Sequence, residues 1–585
     1  MKYYDQKETV VKSFRNKRQM WMPMDKIDQL HEGLSGNVSK ALILWKEFIP
    51  ADRIMGTNEA ARRCGHTTST SFPNLSGAIR PVSNHEISRI LAIAQEFQVP
   101  VYPVSTGHNW GYGAAAPCTP ACVIIDLSLM NRVLHFDEEL GTITVQPGVT
   151  QQTLRYFLDE RNADFLVPVH GGGPACSMIG NALERGYGIT PHADHFGSLI
   201  ALEAILPDGR VYHSVLRELA GAAADRLFKW GVGPYLDGLF SQGNFGVVTE
   251  ATFSLARRPE RVEGFYFWIA RDEQLEEAVD AVRGVVRSLG SVVGSINLMN
   301  RRRMLSMSLS YPKNEVPSGG IMPDSLVDAL ARQLSLPAWM GIGALYGTKE
   351  IVRAARKTIR RQLRSCAQRI VFLTPNMSKR LLRISSLLPA VCRSRLFATL
   401  FNLNEGLKIM SGYPSEIALR IPYWKTGASP AAGQPIDPAK DGCGLLWYTP
   451  LIPMKASSVR DYVRIVEYVC RDYRIEPLIT LTSISERCFD SSVPLLFDKN
   501  DPDESARAEE AYHTLFSSGR SLGYLPYRYG AEHMAMILDE KITAWDVVHR
   551  LKRALDPRGI VSPGRYDLSI RSGDHSQDAR QDAIC

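Results

Sequence analysis

Pro103-Val-Ser-Thr-Gly-His108-Asn-Trp-Gly-Tyr112-Gly113 is the stretch on which the reading of this chain turns. A short strand pattern, Val99-Pro-Val-Tyr-Pro-Val104, runs into it, and a second, Cys122-Val-Ile-Ile-Asp-Leu127, follows it. Between them lie glycines at 107, 111 and 113 and the Ser105-Thr106 pair, with few large side chains apart from His108, Trp110 and Tyr112. Glycine carries no Cβ and accepts positive φ, so such a loop can bring several backbone N–H groups close to an anion. It reads as the pyrophosphate cradle of a flavin, which the rest of the chain completes.

Working upstream, Ser83-Asn-His-Glu86 is a capping-box pattern, and Ile87, Ile90, Leu91, Ala94 and Phe97 recur at helical spacing behind it. Downstream, Val133-Leu-His-Phe-Asp137 and Thr142-Ile-Thr-Val145 read as two strands turning at 138–141, and Thr150 caps a helix holding Leu154, Phe157 and Leu158. A second glycine-rich segment spans 167–188, a hairpin turns at Pro207-Asp-Gly209, and Ser241-Gln-Gly-Asn-Phe-Gly-Val-Val-Thr249 leads into an alternating strand. This is an α+β nucleotide-binding layout, but not a Rossmann one. The glycines do not spell GxGxxG, and no helix separates the loop from the strand that ends at Asp126.

Beyond Arg257-Arg-Pro259 the texture changes. Helical patterns at 273–289, 350–370 and 457–473 alternate with strands at 263–268, 444–448 and 478–482, predicting antiparallel sheet flanked by helices. The 350–370 pattern puts Ile351, Ala355, Ile359 and Leu363 on one face and a row of Arg and Lys on the other, a solvated or partner-facing helix. The segment 384–403 is both apolar and basic, and nothing else in the chain argues for a membrane role. The expected organisation is an N-terminal helical arm (1–55), a cofactor domain in two pieces (56–258 and 520–570), an inserted cap (259–519) and a polar tail (571–585).

At 585 residues the chain is too long for one core. A hydrophobic fraction of 45% and a charged fraction of 22% are ordinary for a globular protein, and a net charge of +7 is too mild to argue for nucleic acid. The ten cysteines show no CxxC pairs, which suits free thiols in a reducing compartment rather than a zinc site. The first residues lack the apolar core of a signal peptide. No segment has the roughly 18 apolar residues a membrane span needs, so a cytoplasmic protein without a transmembrane segment is expected. His192 and His195 lack a third ligand, so no metal is expected. Gly519-Arg-Ser521-Leu-Gly523 spells a nucleophile elbow but follows a helical pattern rather than a strand, which sets a hydrolase aside.

A set of stretches in fixed order carries a resemblance: the opening loop, Pro147-Gly-Val-Thr150, Ile179-Gly-Asn-Ala-Leu-Glu-Arg-Gly186, the 241–249 segment, Tyr527-Arg528, and Asp556-Pro-Arg-Gly-Ile-Val-Ser-Pro-Gly-Arg565. Together they resemble the vanillyl-alcohol oxidase / 4-cresol dehydrogenase family, from about residue 55 to 567. The resemblance implies a bipartite FAD-binding domain of the p-cresol methylhydroxylase (PCMH) type under an α+β cap. It implies hydride removal from the benzylic carbon of a para-substituted phenol to flavin N5, with oxygen or a cytochrome as acceptor. An aromatic small-molecule substrate and a homo-oligomer are expected with it. By resemblance Tyr112, Tyr527 and Arg528 stabilise the phenolate, and Arg528 brings a permanent charge with forked donors. The FAD contacts implied are Pro103, Ser105, Thr106, Gly107, His108, Asn109, Ser177, Gly180, Asn181, Gly186, Gly246, Val247, Val248 and Arg565.

Three departures from the family stand out. Its oxidases carry an Asp beside flavin N5 where this chain has His170-Gly-Gly-Gly-Pro-Ala-Cys-Ser177, without a carboxylate. Its common Tyr after Arg-Gly-x-Gly is Ile189, and its cap-domain histidine tether aligns with Leu445. Distant relatives link FAD to a histidine in the loop itself, and Thr106-Gly107-His108 resembles that motif. The expectation is FAD joined to His108, or hydrogen-bonded to a free His108. Cys176, the residue that suggests a second tether, stands a few positions out of register with the bicovalent relatives. Two alternatives remain: a hydroxy-acid or alcohol dehydrogenase of the same fold, and an FAD-binding protein whose redox chemistry is lost or recruited to other work.

Overall fold

The computed structural model describes residues 36–219, 222–385, 390–427, 430 and 435–568, with the side chains of 390–399 left aside. Most of the expected N-terminal arm, the polar tail and residues 386–389 of the 384–403 segment therefore lie outside the described residues. The end of the arm is helical over 36–45, and Trp45 is wholly buried with its indole N–H donating to Ile90 O at 3.3 Å.

The opening loop leaves a four-stranded sheet ordered Ile54–Gly56, Leu75–Ile79, Cys122–Asp126, Val101–Val104. Cys122–Asp126 is buried at every residue and runs parallel to both neighbours, which is why it reads as a near-continuous apolar run. The crossover helix Asn84–Phe97 buries Ile87, Ile90, Leu91 and Ala94 against this sheet. Ser83 Oγ accepts from Glu86 N as the capping pattern predicts. The return half of the box slips by one residue: Glu86 accepts from Val82 N at 2.8 Å and holds Arg53 through two 2.8 Å bonds. The C-terminal segment rejoins this sheet, with Val101 N donating to Ile560 O and Ser562 N to Val101 O, each at 2.8 Å.

A five-stranded antiparallel sheet follows, ordered Val133–Asp137, Thr142–Val145, Val247–Ser254, Leu199–Ile205, Val211–His213. Both sequence-predicted hairpins are present in it.

The strands of the third, eight-stranded sheet all fall within residues 261–498, and every pairing in it is antiparallel. The helices Leu275–Leu289, Lys349–Gln362, Ala456–Asp472 and Pro502–Ser521 pack on one face, over Phe265, Phe267, Leu298, Leu481 and Phe489. Strand alternation sends the intervening residues to the opposite face. Asn297, Thr482 and Asp490 lie side by side there, and Thr480 and Ser492 form the next rung. A slip of one residue would exchange the two sets, so the greasy face fixes which polar side chains look out.

One element differs from expectation. The helix predicted over 350–370 ends at Gln362, and Arg369–Leu373 is an edge strand paired with Arg261–Ile269. The Ile370-Val371-Phe372 run favours a pleated half-buried surface over a helix. The predicted apolar face is otherwise kept, with Ala355, Ile359 and Leu363 buried, but its first position is taken by Val352, 1% exposed, and not by Ile351, 44% exposed. Arg356 on the basic row turns inward, onto the buried Glu263.

Candidate active site

A cavity of about 540 Å³ separates the polar face of the large sheet from the glycine loops. Its floor is chiefly backbone. Thr106 Oγ1 accepts from Ser177 N at 3.2 Å, and Ser177 Oγ accepts from Gly180 N at 3.0 Å while donating to Pro147 O at 2.6 Å. These bonds lock the second glycine segment against the first. A Cβ on Gly180 would stand 2.3 Å from Ser105 Oγ, and one on Gly111, at φ +77°, 2.1 Å from Trp447 Cδ1. The second contact, with a ring at a positive-φ position, requires glycine, and the first can be relieved by turning the Ser105 hydroxyl. With the loop so fixed, the N–H groups of Thr106, Gly107, His108 and Asn109 make no hydrogen bond among the described residues. Several unpaired donors along one wall are what a diphosphate takes, so the floor fits the pyrophosphate of FAD.

One end of the cavity is charged. Glu184 lies between two arginines, paired with Arg565 and 3.3 Å from Arg528 Nε. Burial works against its ionisation, but Arg565 and Arg528 outweigh it and hold the carboxyl below its ordinary range. Arg528 Nε is close to Glu184 without the alignment of a hydrogen bond and remains an unpaired buried donor. The same guanidinium donates to Asn109 Oδ1 and lies 4.3 Å over the Tyr112 ring. Tyr112 donates its hydroxyl to Thr449 Oγ1 at 3.1 Å. Burial pushes the Tyr112 and Tyr527 hydroxyls above the ordinary phenol range, with Arg528 opposing. Both therefore remain neutral donors at physiological pH.

Almost every residue singled out from the sequence borders this one cavity: Pro103 to Asn109, Tyr112, Ser177, Gly180, Asn181, Gly186, Gly246, Val248, Tyr527, Arg528 and Arg565. Val247 does not. Strand alternation turns it away from its neighbour Val248 and into the core with Ile79, Ile125 and Val561. Asn109 holds Arg528, and the Asn181 amide is turned onto His195. Leu445 and Ile189 line the cavity as apolar side chains, so neither stands as a nucleophile there.

The fold brings Cys176 close to the opening loop. Its Sγ lies 3.6 Å from the His108 carbonyl oxygen, and both residues border the cavity. Burial pushes this thiol up to about 12. His108 Nδ1 stands 3.1 Å from Ala175 O, and its ring stacks on Trp110 at 4.9 Å. Burial lowers its pKa, against the Ala175 hydrogen bond. A proton on Nδ1 satisfies that carbonyl and leaves the Nε2 lone pair free.

The roof supplies what sequence reasoning missed. Asp490, 6% exposed and with Oδ1 unpartnered, brings a carboxylate to the cavity from the strand Cys488–Asp498. Burial raises it to about 7, with Arg528 opposing. Thr449, Trp447, Thr480, Thr482 and Arg303 also come from the roof. The visible signal was a lone Asp in Phe489-Asp-Ser-Ser492, but which face it took depended on the strand's phase. Outside the cavity, Glu509, His513 and His533 bring potential metal-ligand atoms together. Glu509 is already engaged there by Thr70 and by His533 at 2.8 Å.

A donor-lined floor interlocked by two glycine loops, facing an α+β roof with its own acid, defines a flavoprotein with a capped FAD site. Residues 75–214 match the family model described as FAD binding domain. The chain is 34% identical over 538 residues to the 1'-carboxy-chondrochloren decarboxylase of Chondromyces crocatus, covering 91% of this chain and 97% of that relative. It is 25% identical over 499 residues to the 4-cresol dehydrogenase [hydroxylating] flavoprotein subunit of Pseudomonas putida, covering 85% and 88%. The substrate-bound crystal structure of p-cresol methylhydroxylase shares the fold at a TM-score of 0.80 and 23% identity, over 92% of this chain and 98% of that one. The chain belongs to the FAD-linked oxidoreductase family of 4-cresol dehydrogenase and vanillyl-alcohol oxidase, with the PCMH-type fold, and its cofactor is FAD. No helix among the described residues is long and apolar enough to cross a membrane.

Proposed function

We propose that this protein oxidises a para-substituted phenol, with residues 56–258 and 520–570 holding FAD and 259–519 forming the cap. One observation carries the reading: a buried arginine, two neutral tyrosines and a carboxylate titrating near neutrality border one cavity. Asp490 takes the phenol proton, since a base works best when its pKa lies near the working pH. Arg528, Tyr112 and Tyr527 hold the resulting oxygen anion with donors already in place before the charge develops. The phenolate then pushes electron density toward the benzylic C–H and favours loss of hydride. FAD supplies the hydride acceptor, and oxygen or a cytochrome reoxidises it. The floor's N–H groups, with Ser105, Thr106 and Ser177 around them, hold the pyrophosphate. Asp490 thus replaces, from the roof, the acid missing beside His170.

Anaerobic mixing with 4-alkylphenols tests this reading: bound FAD is expected to bleach. Bleaching by 2-hydroxy acids alone would assign the protein to the hydroxy-acid alternative. Bleaching by neither would favour a non-redox role.

The likeness to a decarboxylase over 97% of that relative's length favours a second reading, oxidative decarboxylation. Hydride loss from the benzylic carbon leaves an electron-poor quinone methide. The bonding pair of an adjacent C–COO⁻ bond can fill it, giving a 4-vinylphenol and CO₂. Release of CO₂ equal to the phenol consumed would establish this course, and an intact acid in the product would refute it.

The cofactor is tethered at His108 through the free Nε2, with the Cys176 thiol beside it. Acid precipitation should carry the yellow colour down with the protein. Colour left wholly in the supernatant would contradict a tether.

A further inference from the structure

Three consecutive arginines open the helix Arg301–Ser308, and their surroundings differ. Arg301 pairs with Asp328 at 2.5 Å. Arg302 pairs with Glu476 at 2.5 Å and Asp324 at 2.7 Å. Arg303 is 9% exposed, donates to the neutral Ser306 hydroxyl at 3.1 Å, and has no carboxylate partner among the described residues. It borders the same cavity as Asn297, Thr480 and Ser492, and Asn297 Oδ1 is itself buried without a partner. Burial lowers the Arg303 guanidinium to about 10, with no acid to offset it.

A buried charge without a counter-ion is among the costlier arrangements in a protein, and replacing it with an apolar side chain of similar size commonly stabilises. Arg302, one residue earlier, shows that this helix end can supply acids where an arginine serves the fold alone. The missing partner of Arg303 is then one that enters with the ligand. The FAD diphosphate is met by the floor loop, whereas Arg303 stands with the polar rungs of the roof, the wall that also carries Asp490. A forked guanidinium in a cavity that also carries an amide and hydroxyls suits a planar carboxylate.

We propose that Arg303 is a substrate-binding residue that recognises a carboxylate, and that the substrate is a phenol whose para side chain bears a carboxylic acid. The phenol half of this statement rests on the function proposed above, and the carboxylate half does not. The holoenzyme would hold its substrate at both ends, the phenolate at Arg528 and the tyrosines, the carboxylate at Arg303.

The test compares 3-(4-hydroxyphenyl)propanoate with 4-propylphenol, and uses 3-phenylpropanoate, which has no phenol, as a binding probe. The wild-type holoenzyme should favour the acid in kcat/KM over the neutral phenol. Arg303→Met should lower that preference by about ten- to a hundredfold, the worth of hydrogen bonds to a charged group. Arg303→Lys should lower it less. 3-Phenylpropanoate should perturb the flavin spectrum of wild type and not of Arg303→Met, even if no phenol bleaches the cofactor. That separates failure of this inference from failure of the phenol reading. An equal loss on both phenols would overturn the inference by placing Arg303 on the flavin, and an unchanged preference would overturn it outright. Arg303→Met should melt no lower than wild type, because it removes an uncompensated charge.

Discussion

On the floor of the cavity the ligand meets backbone N–H groups held by glycine turns and a serine–threonine clasp. On the roof it meets side chains: Asp490, Arg303, Thr449, Thr480 and Thr482. The floor tolerates little change at Gly111, where a Cβ would collide with the Trp447 ring. Asp490, Thr480 and Thr482 stand at alternate positions on strands whose other face is anchored by Leu298, Leu481 and Phe489, and Arg303 comes from the helix Arg301–Ser308. They can vary without disturbing the core that holds the sheet. On the proposed reading the cofactor is held by the more constrained wall and substrate choice by the more adjustable one.

Substitutions on each wall should separate these roles. The largest effect is expected from Gly111→Ala on the floor. The new Cβ meets the Trp447 ring, and the positive φ alone costs about 1–2 kcal/mol. FAD occupancy and the melting temperature should both fall, read from flavin absorbance per protein and a thermal melt. Full FAD content in the Gly111→Ala variant would contradict the floor's role. Arg528→Met, at the charged end, should retain FAD but lose about 10²–10³-fold in kcat, the usual cost of one preorganised donor. A matching loss of bound FAD would make Arg528 structural instead.

Asp490→Asn tests the roof. In wild type the rate should climb as pH rises through about 7, since burial raises Asp490 to that value and only the deprotonated form accepts a proton. The variant should run at least about 100-fold slower, with that rise gone. A profile unchanged in shape would exclude Asp490 as the base. The smallest effects lie off the site, where the first buried position of the helix Lys349–Gln362 is at stake. Val352→Ala should cost about 2 kcal/mol, and Ile351→Lys under about 0.5 kcal/mol, by denaturant titration. The reverse order would put Ile351, and not Val352, in the core.

The same contrast explains what could be read before the structure. Floor chemistry is local: Ser105-Thr106-Gly107 and the 177–186 segment carry their function in adjacent residues, so they stand out in one dimension. Val247 was the miss there, because one step along a strand reverses a side chain. Roof chemistry is non-local. Asp490 joins Thr482 and Asn297 only through the register of three strands more than a hundred residues apart at the extremes. Arg303 becomes distinctive only once Arg301 and Arg302 are seen with acid partners. Cys176 stands a few positions out of register along the chain, and the fold sets its Sγ 3.6 Å from the His108 carbonyl oxygen. Sequence spacing alone does not measure distance across a loop.

The most direct test of phenol oxidation on an FAD-bearing floor is anaerobic rapid mixing of the holoenzyme with 3-(4-hydroxyphenyl)propanoate while the flavin spectrum is followed. Complete bleaching within seconds in wild type, far slower in Arg528→Met, is the predicted result. An unbleached flavin with this acid and with every 4-alkylphenol, together with full bleaching by a 2-hydroxy acid, would contradict it.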